Sequence, residues 1–137
     1  MPENSPPNMP RITPYLLYED VAAAIDWVAK AFGFEERSRM QMGADPRWLH
    51  AELAYLDGVV MMGWPGPDYR NPKHRGHVTQ SLYVQVDDIE AHYRRSKDAG
   101  ASIIEELAEQ FYGARRYAVE DPEGHQWYFA QPIEGPD

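Results

Sequence analysis

Two stretches of the chain alternate apolar and polar positions as an amphipathic helix does, each behind an aspartate. The apolar positions of the first stretch are Val21, Ala24, Ile25, Val28 and Phe32. Because residues three and four apart share one helix face, this spacing predicts a helix that Asp20 caps and Gly33 ends. The second predicted helix runs over 89–99, between Asp88 and Gly100.

Short apolar runs bounded by turn signals predict the strands around these helices. In chain order, the runs are 13–20, 34–42, 48–56, 59–64, 81–88, 101–106, 117–120 and 125–131. The pair Asp57-Gly58 is a hairpin signal, and the segment 121–124, Asp-Pro-Glu-Gly, is a turn. The pattern predicts an α+β fold.

The order strand, helix, strand, strand, strand occurs twice. Three marker residues recur at a nearly constant offset, as Asp20 with Asp88, Gly33 with Gly100, and Gly58 with Gly124. Since one copy cannot bury both faces of a four-stranded sheet, two copies are expected to pack together, within one chain or between two. The predicted organisation is a flexible tail at 1–11, modules at 12–64 and 80–131, a linker at 65–79 and a tail at 132–137.

Composition narrows the class of protein. The 137 residues include no cysteine and carry a formal net charge of −9, which excludes thiolate chemistry and argues against a nucleic-acid partner. The short basic stretch at 70–75 is interpreted as a solvated loop. With no apolar run long enough for a membrane span and no signal peptide at the N-terminus, we expect a cytoplasmic protein without a membrane partner.

The double pattern resembles the glyoxalase/bleomycin-resistance/extradiol-dioxygenase superfamily, also called vicinal oxygen chelate proteins. The segments that carry the resemblance are 15–20 (YLLYED), 31–34 (AFGF), 81–88 (SLYVQVDD), 98–101 (DAGA) and 115–129 (RRYAVEDPEGHQWYF). The resemblance covers roughly residues 12–131. It implies two tandem βαβββ modules whose sheets form an open cup, paired in a homodimer.

Metal enzymes of this superfamily place one ligand on the first and last strand of each module. With the last-strand position counted four residues past the turn glycine, the four positions fall at Thr13, Met62, Ser81 and Tyr128. Divalent metals prefer imidazole and carboxylate ligands, which none of these residues supplies. We therefore predict no metal and no other cofactor at the family position.

Strand alternation predicts which side chains face the cup. The apolar and aromatic members of that set are Tyr15, Met62, Trp64, Tyr83 and Tyr128. Its polar members are Thr13, Ser81, Gln85 and Gln126. Such walls are typical of a pocket for an organic ligand, although aromatic residues that merely fill a closed core would give the same pattern.

Several other residues are candidates for chemistry. Either Arg115 or Arg116 could enter the cup and bind an anion, with Arg116 included in the predicted site, or form a structural salt bridge. His50 and Glu52 share a strand face and are a weak candidate for metal ligands. The polar residues Glu105, Glu106, Glu109 and Gln110 could surround the mouth of the cup, but they are interpreted as a solvated acidic loop.

Two functions from different classes remain open on the sequence. The first is a non-catalytic protein that binds a small aromatic or cationic organic molecule without metal, similar to the family members that sequester bleomycin or mitomycin. The second is a lyase, isomerase or dioxygenase of the same superfamily whose metal ligands lie elsewhere. A regulatory module with a closed cup is a third interpretation.

Overall fold

A computed structural model describes residues 9–133. The chain forms two compact units, and the boundary between them lies between Tyr69 and Arg70. Most of the predicted N-terminal tail (1–8) and C-terminal tail (134–137) lies outside the described residues. In the part that is described, no helix is long and apolar enough to cross a membrane.

The first unit is a mixed four-stranded sheet with one long helix. Its elements are β1 (Tyr15–Leu17), α1 (Val21–Phe32), β2 (Glu35–Gln41), β3 (Leu49–Tyr55) and β4 (Gly58–Gly63). The strand order is β1-β4-β3-β2, with β1 parallel to β4 and the other pairs antiparallel.

The second unit repeats this topology after a short additional helix. Its elements are α2 (Pro72–Arg75), β5 (Ser81–Gln85), α3 (Ile89–Asp98), β6 (Ser102–Gln110), β7 (Ala114–Glu120) and β8 (Gln126–Pro132). The strand order is β5-β8-β7-β6, again with the first strand parallel to the last. The predicted pair of βαβββ modules in an α+β fold is therefore confirmed.

Aspartate caps, of which the one at Asp20 was predicted, explain where both long helices begin. Asp20 accepts a hydrogen bond from the backbone N–H of Ala23 at 3.0 Å, and Asp88 accepts one from Ala91 at 3.1 Å. Each bond satisfies an N–H group that the first helical turn leaves without a partner. Gly33, at φ 79°, then ends α1 in the left-handed conformation that favours glycine.

Each sheet buries one face under its long helix. In the first unit, Leu16, Ala51, Leu53 and Met62 lie on the buried face, together with the inner side of α1. In the second, the buried face carries Trp127, Phe129, Tyr117 and Val119, packed with α3. We call the opposite side of each sheet, away from α1 or α3, the open face.

Two predictions about local structure are wrong. Residues 107–110, beyond the predicted strand 101–106, belong to β6, which pairs with β7 through two register shifts that interrupt its alternation. The segment 72–75, expected to be loop, forms α2. Its start packs on the β7–β8 turn, where the N–H of Lys73 donates to the carbonyl of Glu123 at 3.0 Å.

Candidate functional site

The open face of the second sheet brings five of the predicted site residues together. Tyr83 on β5 lies opposite Tyr128 on β8, and Gln85 lies opposite Ala130, which in turn lies opposite Arg116 on β7. Paired residues point to the same side of a sheet, and Ser81 follows the same alternation. Ser81, Tyr83, Gln85 and Tyr128 thus share one face, as strand alternation predicted, and Arg116 lies on the same face.

Arg116 is the centre of this group. Its Nε and Nη2 donate to the two carboxylate oxygens of Glu105 at 2.7 and 3.0 Å, and its Nη1 donates to the hydroxyl of Tyr112 at 3.0 Å. The guanidinium carbon lies 5.0 Å from the ring centre of Tyr128. Three of its five N–H groups are used in these bonds, and Glu105 occupies the fork of Nε and Nη2 that would otherwise bind an anion in two places.

The ion pair and the cation–π contact fix the guanidinium in place. The hydrogen bonds to Glu105 raise the pKa of Arg116, so the side chain keeps its charge. A guanidinium close to an aromatic face attracts the ring electrostatically. Arg116 therefore orients the Tyr128 ring rather than competing with it for a ligand.

Arg115, the neighbouring arginine, points to the other side of the sheet. Its Nη1 donates to the Glu90 carboxylate of α3 at 2.7 Å. Alternation along β7 separates the two arginines, and this resolves the choice that the sequence left open.

Tyr112 belongs to the same cluster, although sequence reasoning missed it. It lies in the β6–β7 turn beside the fully exposed Phe111, and its hydroxyl lies 3.3 Å from that of Tyr83. The signal that could have found it is the aromatic pair Phe111-Tyr112 directly before Gly113, between two predicted strands. We call Tyr83, Tyr112, Arg116, Tyr128 and Glu105 the tyrosine cluster.

Tyr83 is held in its neutral form. Partial burial raises the pKa of Tyr83 to about 12, and its hydrogen bond with Tyr112 adds to the rise. Since 56% of the residue is nevertheless exposed, Tyr83 presents both a ring and a protonated hydroxyl to solvent at neutral pH.

The prediction that Met62 and Trp64 share a face with Tyr15 is wrong. Met62 lies opposite Leu16 and Ala51, is fully buried and belongs to the helix-covered face. Met61 is the residue opposite Tyr15. Trp64 has the same alternation as Met62 and is 7% exposed, against Trp48 at 4.6 Å between ring centres and Arg47 at 4.5 Å.

The error has a local cause in the two hairpins. The internal repeat of the sequence aligns Gly58 with Gly124, as if both were turn residues. In the structure Gly124 is a turn residue at φ 96°, whereas Gly58 is the first residue of β4 and Leu56 takes the left-handed position at φ 53°. Counting from unequal glycines shifts the first module by one residue, which reverses the face of every side chain in β4.

Tyr15 lies on the open face of the first sheet with a different neighbour. Its hydroxyl is 2.9 Å from Nδ1 of His50, and the two rings meet edge to face at 5.4 Å. The tyrosine ring lies directly over Gly63, where a Cβ atom would be 2.6 Å from the hydroxyl oxygen. The absence of a side chain at Gly63 therefore allows the Tyr15–His50 pair to form.

This contact predicts the effect of Gly63→Ala. The added methyl group would displace the Tyr15 ring and break its hydrogen bond to His50, with a cost of about 1–2 kcal/mol in the free energy of unfolding. Urea denaturation measures the loss in the free energy of unfolding. NMR of the His50 imidazole signals detects the loss of its contact with Tyr15. Gly58→Ala is the control, because its Cβ would meet only a carbonyl oxygen at 3.5 Å.

A surface cavity of about 240 Å³ lies in the first unit, away from these open-face residues. Its lining residues are Glu19, Asp20, Val21, Ala22, Pro46, Arg47 and Leu49. Asp20 is already engaged as the cap of α1, and Arg47 pairs with Asp45 at 2.8 Å.

The residues at the family's metal positions do not suit a divalent ion. Thr13, Ser81 and Tyr128 offer only hydroxyl groups. In the observed register Met61 takes the position predicted for Met62, and it too offers only a thioether. Within residues 9–133, no group of three or more His, Cys, Asp or Glu side chains is placed to hold a metal. We therefore derive no chemical step through a metal.

Comparison with known proteins finds relatives about one third identical to this chain. An uncharacterized protein of Mycobacterium tuberculosis (strain H37Rv) is 33% identical over 129 residues, which are 90% of this chain and 75% of the relative. The crystal structure of TioX from Micromonospora sp. ML1 has a TM-score of 0.74 and 34% identity, covering 90% of this chain and 99% of that one.

A more distant structure shares the fold alone. FosX from Listeria monocytogenes, a genomically encoded fosfomycin resistance protein, has a TM-score of 0.66 at 10% identity and covers 90% of this chain and 93% of its own. The family model for the Glyoxalase/Bleomycin resistance protein/Dioxygenase superfamily matches residues 10–129. The chain is a member of the glyoxalase/bleomycin resistance protein/dioxygenase superfamily.

Proposed function

We propose that this protein binds a small aromatic or cationic organic molecule, without metal, on the open face of its second sheet. The observation that carries the proposal is the tyrosine cluster. Three tyrosines and an arginine are held together there by hydrogen bonds and a cation–π contact, with Tyr83 and Tyr112 about half exposed. Aromatic faces fixed in this way are a surface on which a flat ligand can stack.

Electrostatics favours a neutral or cationic ligand over an anion. The guanidinium of Arg116 is already neutralised by Glu105, and the whole chain carries a net charge of −9. A cationic ligand would be attracted by this charge and would also interact favourably with the tyrosine rings.

The family supports an antibiotic as one class of ligand. Bleomycin resistance is part of the description of the superfamily, and FosX is a resistance protein with the same fold. The proposal therefore includes antibiotics with flat aromatic or cationic groups. Fosfomycin is not among the proposed ligands, because a similarity at 10% identity concerns the fold alone.

The proposal extends to the state of the protein in the cell. We propose a cytoplasmic homodimer without nucleic-acid or membrane partners. The absence of cysteine, the acidic net charge and the large surface of a 137-residue chain support these points. Sedimentation equilibrium checks the dimer.

The direct test is a titration of chelator-treated protein with proflavine, a flat aromatic cation, and with bleomycin and mitomycin. We expect saturable binding of at least proflavine, followed by the anisotropy of its fluorescence. Tyr128→Ala should weaken this binding about 5- to 30-fold, since a stacked ring contributes about 1–2 kcal/mol.

Tyr93→Ala is the matched control, because Tyr93 lies on α3 at the other face of the same sheet, near Tyr117. It should leave proflavine binding unchanged. Binding that appears only after zinc, nickel or iron is added would contradict the proposal and favour the alternative, an enzyme of the same superfamily.

A further inference from the structure

The two exposed hydroxyls of the tyrosine cluster can donate a hydrogen bond to a ligand, in addition to the stacking that their rings allow. The hydroxyls of Tyr83 and Tyr112 lie 3.3 Å apart and share one hydrogen bond. The Tyr112 oxygen is also the acceptor for Nη1 of Arg116 at 3.0 Å. A guanidinium has no acceptor, so the direction of this second bond is fixed.

The two hydroxyls of Tyr83 and Tyr112 carry two protons, and their mutual hydrogen bond uses only one of them. If Tyr112 donates to Tyr83, the proton of Tyr83 remains, and if Tyr83 donates to Tyr112, the proton of Tyr112 remains. In both arrangements one O–H is unused, while Arg116 already occupies an acceptor position of Tyr112. The pair is therefore biased towards donation, and hydrogen bonds in such a chain polarise one another and strengthen the terminal donor.

The surroundings keep this donor available. The Glu105 carboxylate, the nearby charged acceptor, is held by two nitrogens of Arg116 and does not bond to either tyrosine in the part of the chain that is described. Tyr83 and Tyr112 are 56% and 48% exposed, so a ligand on the open face can reach them. The raised pKa of Tyr83 keeps its hydroxyl protonated across the physiological range.

We propose that the hydroxyl pair of Tyr83 and Tyr112 selects flat aromatic ligands that carry a neutral hydrogen-bond acceptor, such as a ring carbonyl oxygen. This inference rests on the proposed function, since it names the ligand chemistry of the same site. The ring of the ligand stacks on the tyrosines, and its carbonyl oxygen accepts the unused proton of the pair. Aromatic ligands that lack an acceptor bind by stacking alone.

The test compares two molecules of nearly the same shape, 9-fluorenone and fluorene, which differ by a carbonyl in place of a methylene group. Equilibrium dialysis with absorbance detection gives both dissociation constants for the wild-type protein and for the double variant Tyr83→Phe/Tyr112→Phe. The double variant keeps both rings and removes both hydroxyls. Tyr93→Phe, on the other face of the sheet, is the control.

We expect the preference for 9-fluorenone over fluorene to fall about 3- to 10-fold from the wild-type protein to the double variant, which is the range for one neutral hydrogen bond. Fluorene binding should change little, and Tyr93→Phe should keep the wild-type preference. An unchanged preference in the double variant, with both molecules still bound, would overturn this inference and leave the proposed function standing. If the wild-type protein bound none of 9-fluorenone, fluorene and proflavine, both this inference and the proposed function would be overturned.

Discussion

Asp121→Ala is expected to lower the free energy of unfolding of the second unit by about 2–4 kcal/mol. Asp121 is 1% exposed, and its Oδ1 accepts the backbone N–H groups of Glu123 and His125, each at 3.0 Å. Its Oδ2 accepts the indole N–H of the fully buried Trp127 at 3.1 Å. The alanine variant would leave this indole and both turn amides without these acceptors, and buried donors without partners are costly.

Urea denaturation followed by far-UV circular dichroism measures this loss. Asp57→Ala is the matched control, because Asp57 lies exposed in the corresponding β3–β4 turn, and its replacement should change the stability by less than about 0.5 kcal/mol. Equal effects of the two substitutions would show that the aspartate of the second turn does not hold Trp127 in place.

Gly124→Ala is expected to have an effect of similar size, about 2–4 kcal/mol, for two separate reasons. Gly124 has a φ of 96°, which strains any residue with a side chain, and its added Cβ would lie 2.6 Å from the backbone nitrogen of Lys73. The substitution would therefore push the start of α2 away from the β7–β8 turn and break the bond between Lys73 and Glu123.

Gly113→Ala separates the two contributions. Gly113 has a similar φ of 92°, but no atom lies within 4 Å of its added Cβ. We expect this control to cost about 1–2 kcal/mol, the conformational part alone. Thermal unfolding of both variants gives the comparison, and equal losses would mean that α2 does not pack tightly on the turn.

The repeat and the helix caps were predictable because they depend on residues close in sequence. Asp20 and Asp88 cap helices through hydrogen bonds that span three residues, and the glycines behind the helices take positive φ values that few other residues adopt. These local requirements fix the element order, and with it the fold of each unit.

The faces of the strands were predictable only where the turn was interpreted correctly. In the second module the count from Gly124 placed Tyr128 opposite Tyr83, as observed. In the first module Gly58 belongs to β4 rather than to the turn, and the count from it failed by one residue. A single residue decides the face of a whole strand, so sequence alone could not place Met62.

Long-range pairing determined the rest of the site. Tyr112 reaches Tyr83 from the tip of a hairpin that is longer than predicted, and Arg116 reaches Glu105 across β6 and β7. Register shifts in β6 hide its alternation, so the acidic residues looked like a loop. The pairing of Arg115 with Glu90 likewise depends on how α3 packs on the sheet.

The most direct test of the central proposal is an NMR titration of isotope-labelled, chelator-treated protein with proflavine. We expect the backbone and side-chain signals that shift first to belong to Tyr83, Tyr112, Arg116 and Tyr128, with the chelator still present. Arg116→Gln should reduce these shifts, and Arg115→Gln, on the other face, should not. Shifts that cluster elsewhere, or that require added zinc, nickel or iron, would contradict the account.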